Sequence, residues 1–236
     1  VYWSQGHIWR VDVVSGESRQ IPFSVNDTRT AYPAVEVAVD VAPDTLTTTM
    51  PRFATQSPDG QSVVFESMGR LFEKRDGEEA KRLTRDTGTA VEFSPAFSPD
   101  GKDVYFLTWS DDELGSVRKV SARGGRSKNV LATPGHYVDL SISRDGETLL
   151  FTKLSGSSLT NPHWGKKPGI YVFTLGDDEA QFVSRRGRSP HFGPGNRIYA
   201  TERLSSAVGR GSDDASSELI SMKHDGEDVR THASSP

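Results

Sequence analysis

The chain has 236 residues, of which 28 are basic and 32 acidic, giving a formal net charge of −4, and it contains no cysteine. Lack of cysteine excludes structural disulfides, thiolate zinc sites and cysteine nucleophiles. The two signs of charge are interspersed, so there is no basic stripe for nucleic acid or an anionic membrane, and no apolar run reaches the roughly 18–20 residues that cross a bilayer.

The chain opens on Val1-Tyr2-Trp3, which already reads as strand, and not on Met, so a missing start, with any signal peptide it carried, is expected. Ile8-Trp9-Arg10-Val11 reads as the next strand, Ser15-Gly16 as a turn and Gln20-Ile21 as a third strand. Within 24–52, Val35-Glu36-Val37-Ala38-Val39-Asp40-Val41 alternates strictly between Pro33 and Pro43, predicting an exposed strand that needs a partner.

A repeat follows. Ser57-Pro58-Asp59-Gly60 recurs as Ser98-Pro99-Asp100-Gly101, then as Ser143-Arg144-Asp145-Gly146, with a relic at Gly193-Pro194-Gly195-Asn196. The interval of about 40–50 residues is that of one propeller blade. Proline presets φ for a turn, aspartate bonds the local backbone and glycine accepts positive φ, so the motif reads as a turn and its carboxylates as turn formers. After each turn come three short strand-like runs: Val63–Phe65, Leu71-Phe72 and Arg82–Thr84 in the first repeat, and Val104–Leu107, Val117–Val120 and Val130-Leu131 in the second. The third and fourth repeats carry Leu149–Phe151, Ile170–Val172 and Phe182-Val183, then Ile198-Tyr199, Leu219–Met222 and Val229–Thr231.

Four short antiparallel strands per repeat, without helical periodicity, predict an all-β fold, a β-propeller of four-stranded blades. About five blades are expected, near 1–23, 53–84, 89–133, 137–184 and 188–233, in one domain spanning 1–236, with an insertion at 24–52 and the first blade lacking its opening strand. The tail Ala233-Ser234-Ser235-Pro236 resembles the start of another opening strand. Two readings stay open: the tail completes the first blade and closes a five-bladed ring, or the chain is an excerpt of a larger ring. An open arc exposes strand edges and is expected to pair with a second copy.

Phe97 to Phe106, Gly69-Arg70-Leu71-Phe72 and Lys81-Arg82-Leu83-Thr84 resemble the WD-like repeat of TolB-type propellers over nearly the whole chain except residues 24–52. That resemblance implies a periplasmic or secreted location and a protein–protein adaptor, or a propeller set in front of a catalytic domain. The opening strands, the long insert and the first repeat look most like the propellers of amidohydrolases and tricorn-like peptidases, whose catalytic domain would lie C-terminal. Fold alone does not assign function.

Catalytic patterns are missing from the sequence: there is no Gly-x-Ser-x-Gly elbow, no His-Glu-x-x-His and no phosphate loop, and His7, His136, His163, His191, His224 and His232 are scattered singly. The expectation is a non-catalytic module with no cofactor and no metal, binding a protein partner or docking a hydrolase domain. An enzyme with a site at the ring mouth, and a carbohydrate- or peptide-binding propeller, are the alternatives. Blade topology sharpens the location. First-to-second and third-to-fourth turns share one rim and are short, whereas second-to-third connections and inter-blade links share the other. The long segments, about 24–52, 109–115, 152–169 and 203–216, all fall in the second class, where function is expected. On that rim Trp109, His163, Trp164, Arg185 and Arg186 are the candidate binding residues, aromatic and arginine side chains being favoured interface anchors.

Overall fold

The computed structural model describes residues 1–32, 42, 44–45, 47–85, 88–155, 167–203 and 216–235. The chain divides into two units, Val1–Leu46 and Thr47–Pro236.

In the first unit β1 (Tyr2–Ser4), β2 (His7–Val11) and β3 (Ser18–Ile21) form a three-stranded antiparallel sheet. Asp12 closes the β2–β3 turn. Its Oδ1 accepts the amides of Ser15 and Val14 at 2.9 Å, and these bonds draw its carboxyl below the ordinary range. The alternating stretch Val35 to Val41 lies outside the described residues.

The second unit holds four four-stranded sheets, each in chain order. The first is β4 (Arg52–Gln56), β5 (Ser62–Ser67), β6 (Arg70–Arg75) and β7 (Lys81–Arg82). Next come β8 (Val91–Phe97), β9 (Asp103–Ser110), β10 (Leu114–Ser121) and β11 (Lys128–Gly135). The third is β12 (Tyr137–Ile142), β13 (Thr148–Lys153), β14 (Gly169–Thr174) and β15 (Gln181–Ser184). The last is β16 (Arg188–Gly193), β17 (Arg197–Arg203), β18 (Ser217–Met222) and β19 (Arg230–Ser235).

Each repeat turn is a closed set of local bonds. Ser57 Oγ donates to Asp59 Oδ1 at 2.6 Å and accepts the Ser62 amide at 2.9 Å, while Asp59 Oδ1 accepts the Gln61 amide at 3.0 Å. The same bonds recur around Ser98–Asp100 and Ser143–Asp145. All three aspartates are held below the usual carboxylate range by the serine hydroxyl first and the backbone amide second. One oxygen of each carboxylate, Oδ1, is engaged by the turn.

The core lies between blades. Val104 and Phe106 pack with Val64, Leu71 and Leu83 of the preceding blade, whereas the intervening Tyr105 and Leu107 face Leu149, Phe151 and Phe173 of the following one. Leu150, Ile170 and Val172 likewise meet Ile198, Ala200, Ile220 and Met222. Alternate residues of one strand thus serve two interfaces, and no sheet buries its own faces. Fully burying each such side chain contributes about 1.5–3 kcal/mol. Stacked four-stranded sheets of this kind are propeller blades, and the fold is an all-β propeller.

A second regularity was not visible in the sequence. The first strand of every blade in this unit carries a β-bulge whose residue is left-handed although it is not glycine: Phe53, Ser94, Asp139 and Ser189, with φ of 50°, 48°, 58° and 49°. Each stands four residues ahead of the residue that opens the repeat turn. These strands neighbour one another from blade to blade, so the bulges share one level of the stack.

Two sequence expectations need correction. Trp109 is not in a long loop: β9 and β10 run on to Ser110 and Leu114, Trp109 pairs with Val91 and Gly115, and only Asp111–Glu113 connect the strands. Ala233–Ser235 do not begin a new blade. A bulge beside Leu219 and Ile220 lets β19 continue along β18 until Ser235 pairs with Ser217. β13 ends at Lys153 and β17 at Arg203 on the same rim as the inter-blade links, and most of 152–169 and 203–216 lies outside the described residues.

Candidate functional site

On the long-connection rim a cleft of about 530 Å³ opens between the β12–β15 and β16–β19 blades. One wall is the link Arg185–Gly187. The chain turns here because Gly187 adopts φ of 89°, and a Cβ on it would lie 2.6 Å from the Ala200 Cβ. The turn separates neighbouring arginines. Arg186 donates from Nε and Nη2 to Glu202 at 2.8 and 2.6 Å, a bidentate pair that raises the arginine pKa and lowers that of the carboxyl. Arg185 and Arg188 line the cleft and are exposed, and their side chains make no hydrogen bond or ion pair among the described residues.

The other wall comes from β12 and β13. Asp139, at the bulge, accepts Thr152 Oγ1 on Oδ2 at 3.2 Å, and Lys153 Nζ lies 5.9 Å from the Tyr171 ring. Among the described residues the cleft is thus lined by Arg185, Arg188 and Lys153 together with the carboxylate of Asp139.

Lys153 also borders a second groove, about 500 Å³, between the β8–β11 and β12–β15 blades. Tyr137, Phe151 and Tyr171 line it as a run of rings, edge-on at 5.0 Å and then stacked at 6.2 Å. Both phenols are bonded within the chain, Tyr137 to the Thr133 carbonyl at 2.7 Å and Tyr171 to that of Lys167 at 2.6 Å. Burial, helped by Tyr171, pushes the Tyr137 phenol up to about 12. Burial also raises Tyr171, against the opposing effect of Arg185.

The candidates from the sequence thus separate. Arg185 reaches the cleft and Arg186 is held by Glu202. Trp109 rests on its own surroundings, its indole N–H donating to Asp111 at 3.1 Å and its ring 4.9 Å from that of His136. His163 and Trp164 lie outside the described residues. Sequence reading missed Lys153 and Asp139. The signal for Asp139 was its phase, four residues ahead of Ser143. Among the described residues no group of three or more His, Asp or Glu side chains is arranged to hold a metal ion.

No protein-family model matches the sequence, and no curated protein does. Solved structures do match. TolB from Acinetobacter baumannii superposes with a TM-score of 0.56 at 17% identity, over 94% of this chain and 48% of that one. The fold is a TolB-like β-propeller. This TolB-like propeller spans about half the length of that TolB structure. Two enzymes share its fold. An oligogalacturonate lyase in complex with manganese gives a TM-score of 0.55 at 13% identity, over 78% of this chain and 53% of that one. The tricorn protease gives 0.53 at 11%, over 96% of this chain and 20% of that one. At such identities the likeness is one of fold, and the site has to be argued from its own residues.

Proposed function

We propose that the chain is a non-catalytic propeller module that binds a protein partner, or docks and gates a hydrolase domain, through its long-connection rim. The observation that carries this reading is the pair Arg185 and Arg188, two arginines facing an open cleft without partners among the described residues. Guanidinium groups left free of internal ion pairs are available to an interface as anchors. The opposite rim offers nothing comparable in the Ser57, Ser98 and Ser143 turns, where each aspartate is already bonded. Trp109, His163, Trp164 and Arg186 belong to the same proposed surface as candidates from the sequence. A periplasmic or secreted location, and pairing with a second copy through blade edges, belong to the same reading.

The test is site-specific photo-crosslinking in the protein's own host. A photoreactive residue at Asp112 or Leu154 is expected to give discrete protein adducts, and one at Gly60 or Gly101 none. Adducts from the short-turn rim alone, or turnover of a peptide or sugar by the isolated chain, would overturn the reading.

A further inference from the structure

We infer that the cleft between the β12–β15 and β16–β19 blades takes the side-chain carboxylate of an extended acidic peptide, with a neighbouring apolar side chain lodged in the aromatic groove beside it. The inference rests on the docking reading above and names the ligand class of that rim.

The chemistry of the cleft selects the charge. Glu202 neutralises Arg186, so among the described residues the cationic character of the cleft rests on Arg185 and Arg188, with Lys153, whose Nζ lies beside Tyr171, on its border with the groove. Arginine presents planar paired donors that match a carboxylate, and such charge-assisted bonds are about twice as strong as neutral ones. Lone cations on a surface are ordinarily just solvated, but here they converge on one concave site.

The carboxylate of Asp139 narrows the class. Its Oδ2 is occupied by Thr152, and it stands in the same cleft as the arginines. A multiply charged anion such as phosphate is repelled by it, whereas a peptide supplies a single carboxylate together with backbone N–H donors that a second carboxylate can accept.

The aromatic groove separates a peptide from an acidic sugar. A sugar can stack on a ring but also needs side-chain hydroxyls or amides for its own hydroxyls, and both tyrosine hydroxyls of the groove already donate to the Thr133 and Lys167 carbonyls. What the groove offers, beside Lys167 and Glu179, is the narrow exposed margin of the Tyr137 and Tyr171 rings, Phe151 being fully buried, and that margin suits an apolar side chain. Lys153 borders both cavities and so joins the anionic and the apolar contact in one ligand.

The probe is a capped, fluorescein-labelled peptide alternating glutamate and leucine, titrated by anisotropy into the whole chain. Saturable binding is expected, weakened roughly tenfold or more by the double substitution Arg185→Ala and Arg188→Ala and unchanged by Lys102→Ala on the opposite rim. The double lysine variant, R185K with R188K, is expected to retain part of the affinity, and it keeps the test readable if the alanine variant melts earlier. The glutamine–leucine and glutamate–serine peptides are expected to bind more weakly, and neither inorganic phosphate nor a galacturonic acid oligomer to displace the probe at equal charge.

Affinity indifferent to both arginine substitutions, equal binding of the glutamine peptide, or displacement by the sugar overturns the inference. If the peptide fails to bind while rim-specific crosslinks persist, the cleft assignment falls and the docking reading stands. Loss of both removes the reading on which it rests.

Discussion

The carboxylate of Glu92 on β8 accepts the amide of Leu71 on β6 at 2.8 Å, a buried bond that crosses from one blade to the next. The Thr84 hydroxyl closes on the same carboxylate at 2.7 Å. A buried carboxyl group needs such donors in place of water. Glu92→Ala strips two buried donors of their acceptor and is expected to cost about 3 kcal/mol in urea denaturation. Glu92→Gln keeps an acceptor oxygen and is expected to cost about 1 kcal/mol.

The bulge residues make an opposite-signed prediction. Ser94 is left-handed with φ of 48°, a conformation that glycine adopts without steric penalty and β-branched residues resist. Ser94→Gly is expected to leave stability unchanged or raise it by up to about 1 kcal/mol, and Ser94→Val to lower it by about 1–2 kcal/mol. Thermal unfolding of the two variants decides. A valine that is tolerated would mean the bulge is absent in solution.

Asp100 supplies a pH dependence. Its carboxyl is lowered from 3.8 to about 2, by the Ser98 hydroxyl first and then the Lys102 amide. A depressed pKa in the folded state means that the unfolded chain takes up its proton first on acidification. The contribution to stability is therefore complete above pH 3.8 and is lost as the pH falls toward 2. Asp100→Asn is expected to flatten the decline of stability in that window while leaving the rest of the acid transition unchanged.

How much of this was legible in the sequence follows from the range of the interactions. The repeat turns were readable because Ser57, Asp59 and Gly60 interact within five residues, and the blade assignment follows from their period. Trp109 was misplaced because its strand character comes from pairing with Val91 and Gly115, which local composition does not encode. Ala233–Ser235 failed for the same reason: a bulge on β19, at His232, carries that strand on through residues with little strand preference of their own. Arg185, which lines the cleft, was singled out because arginine in an inter-blade link is a local feature. Asp139 and Lys153 were missed because the cleft exists only once two blades meet.

Gly187 links the fold to the proposed site. Placing a Cβ there drives it to 2.6 Å from the Ala200 Cβ, at a backbone angle of 89° that alanine disfavours. Gly187→Ala is expected to cost about 2 kcal/mol or more, since strain and a buried clash add. It is also expected to weaken the acidic peptide by displacing Arg185 and Arg188 together. Full affinity in a destabilised Gly187→Ala protein would mean that the link does not set the cleft.

The most direct measurement of the central claim is backbone NMR shift mapping of the whole chain during titration with the glutamate–leucine peptide. The account predicts shifts gathered at Asp139, Lys153, Arg185 and Arg188, extending to Tyr137 and Tyr171, with the turns at Ser57, Ser98 and Ser143 unmoved. Shifts centred on those turns, or spread evenly over both rims, would contradict it.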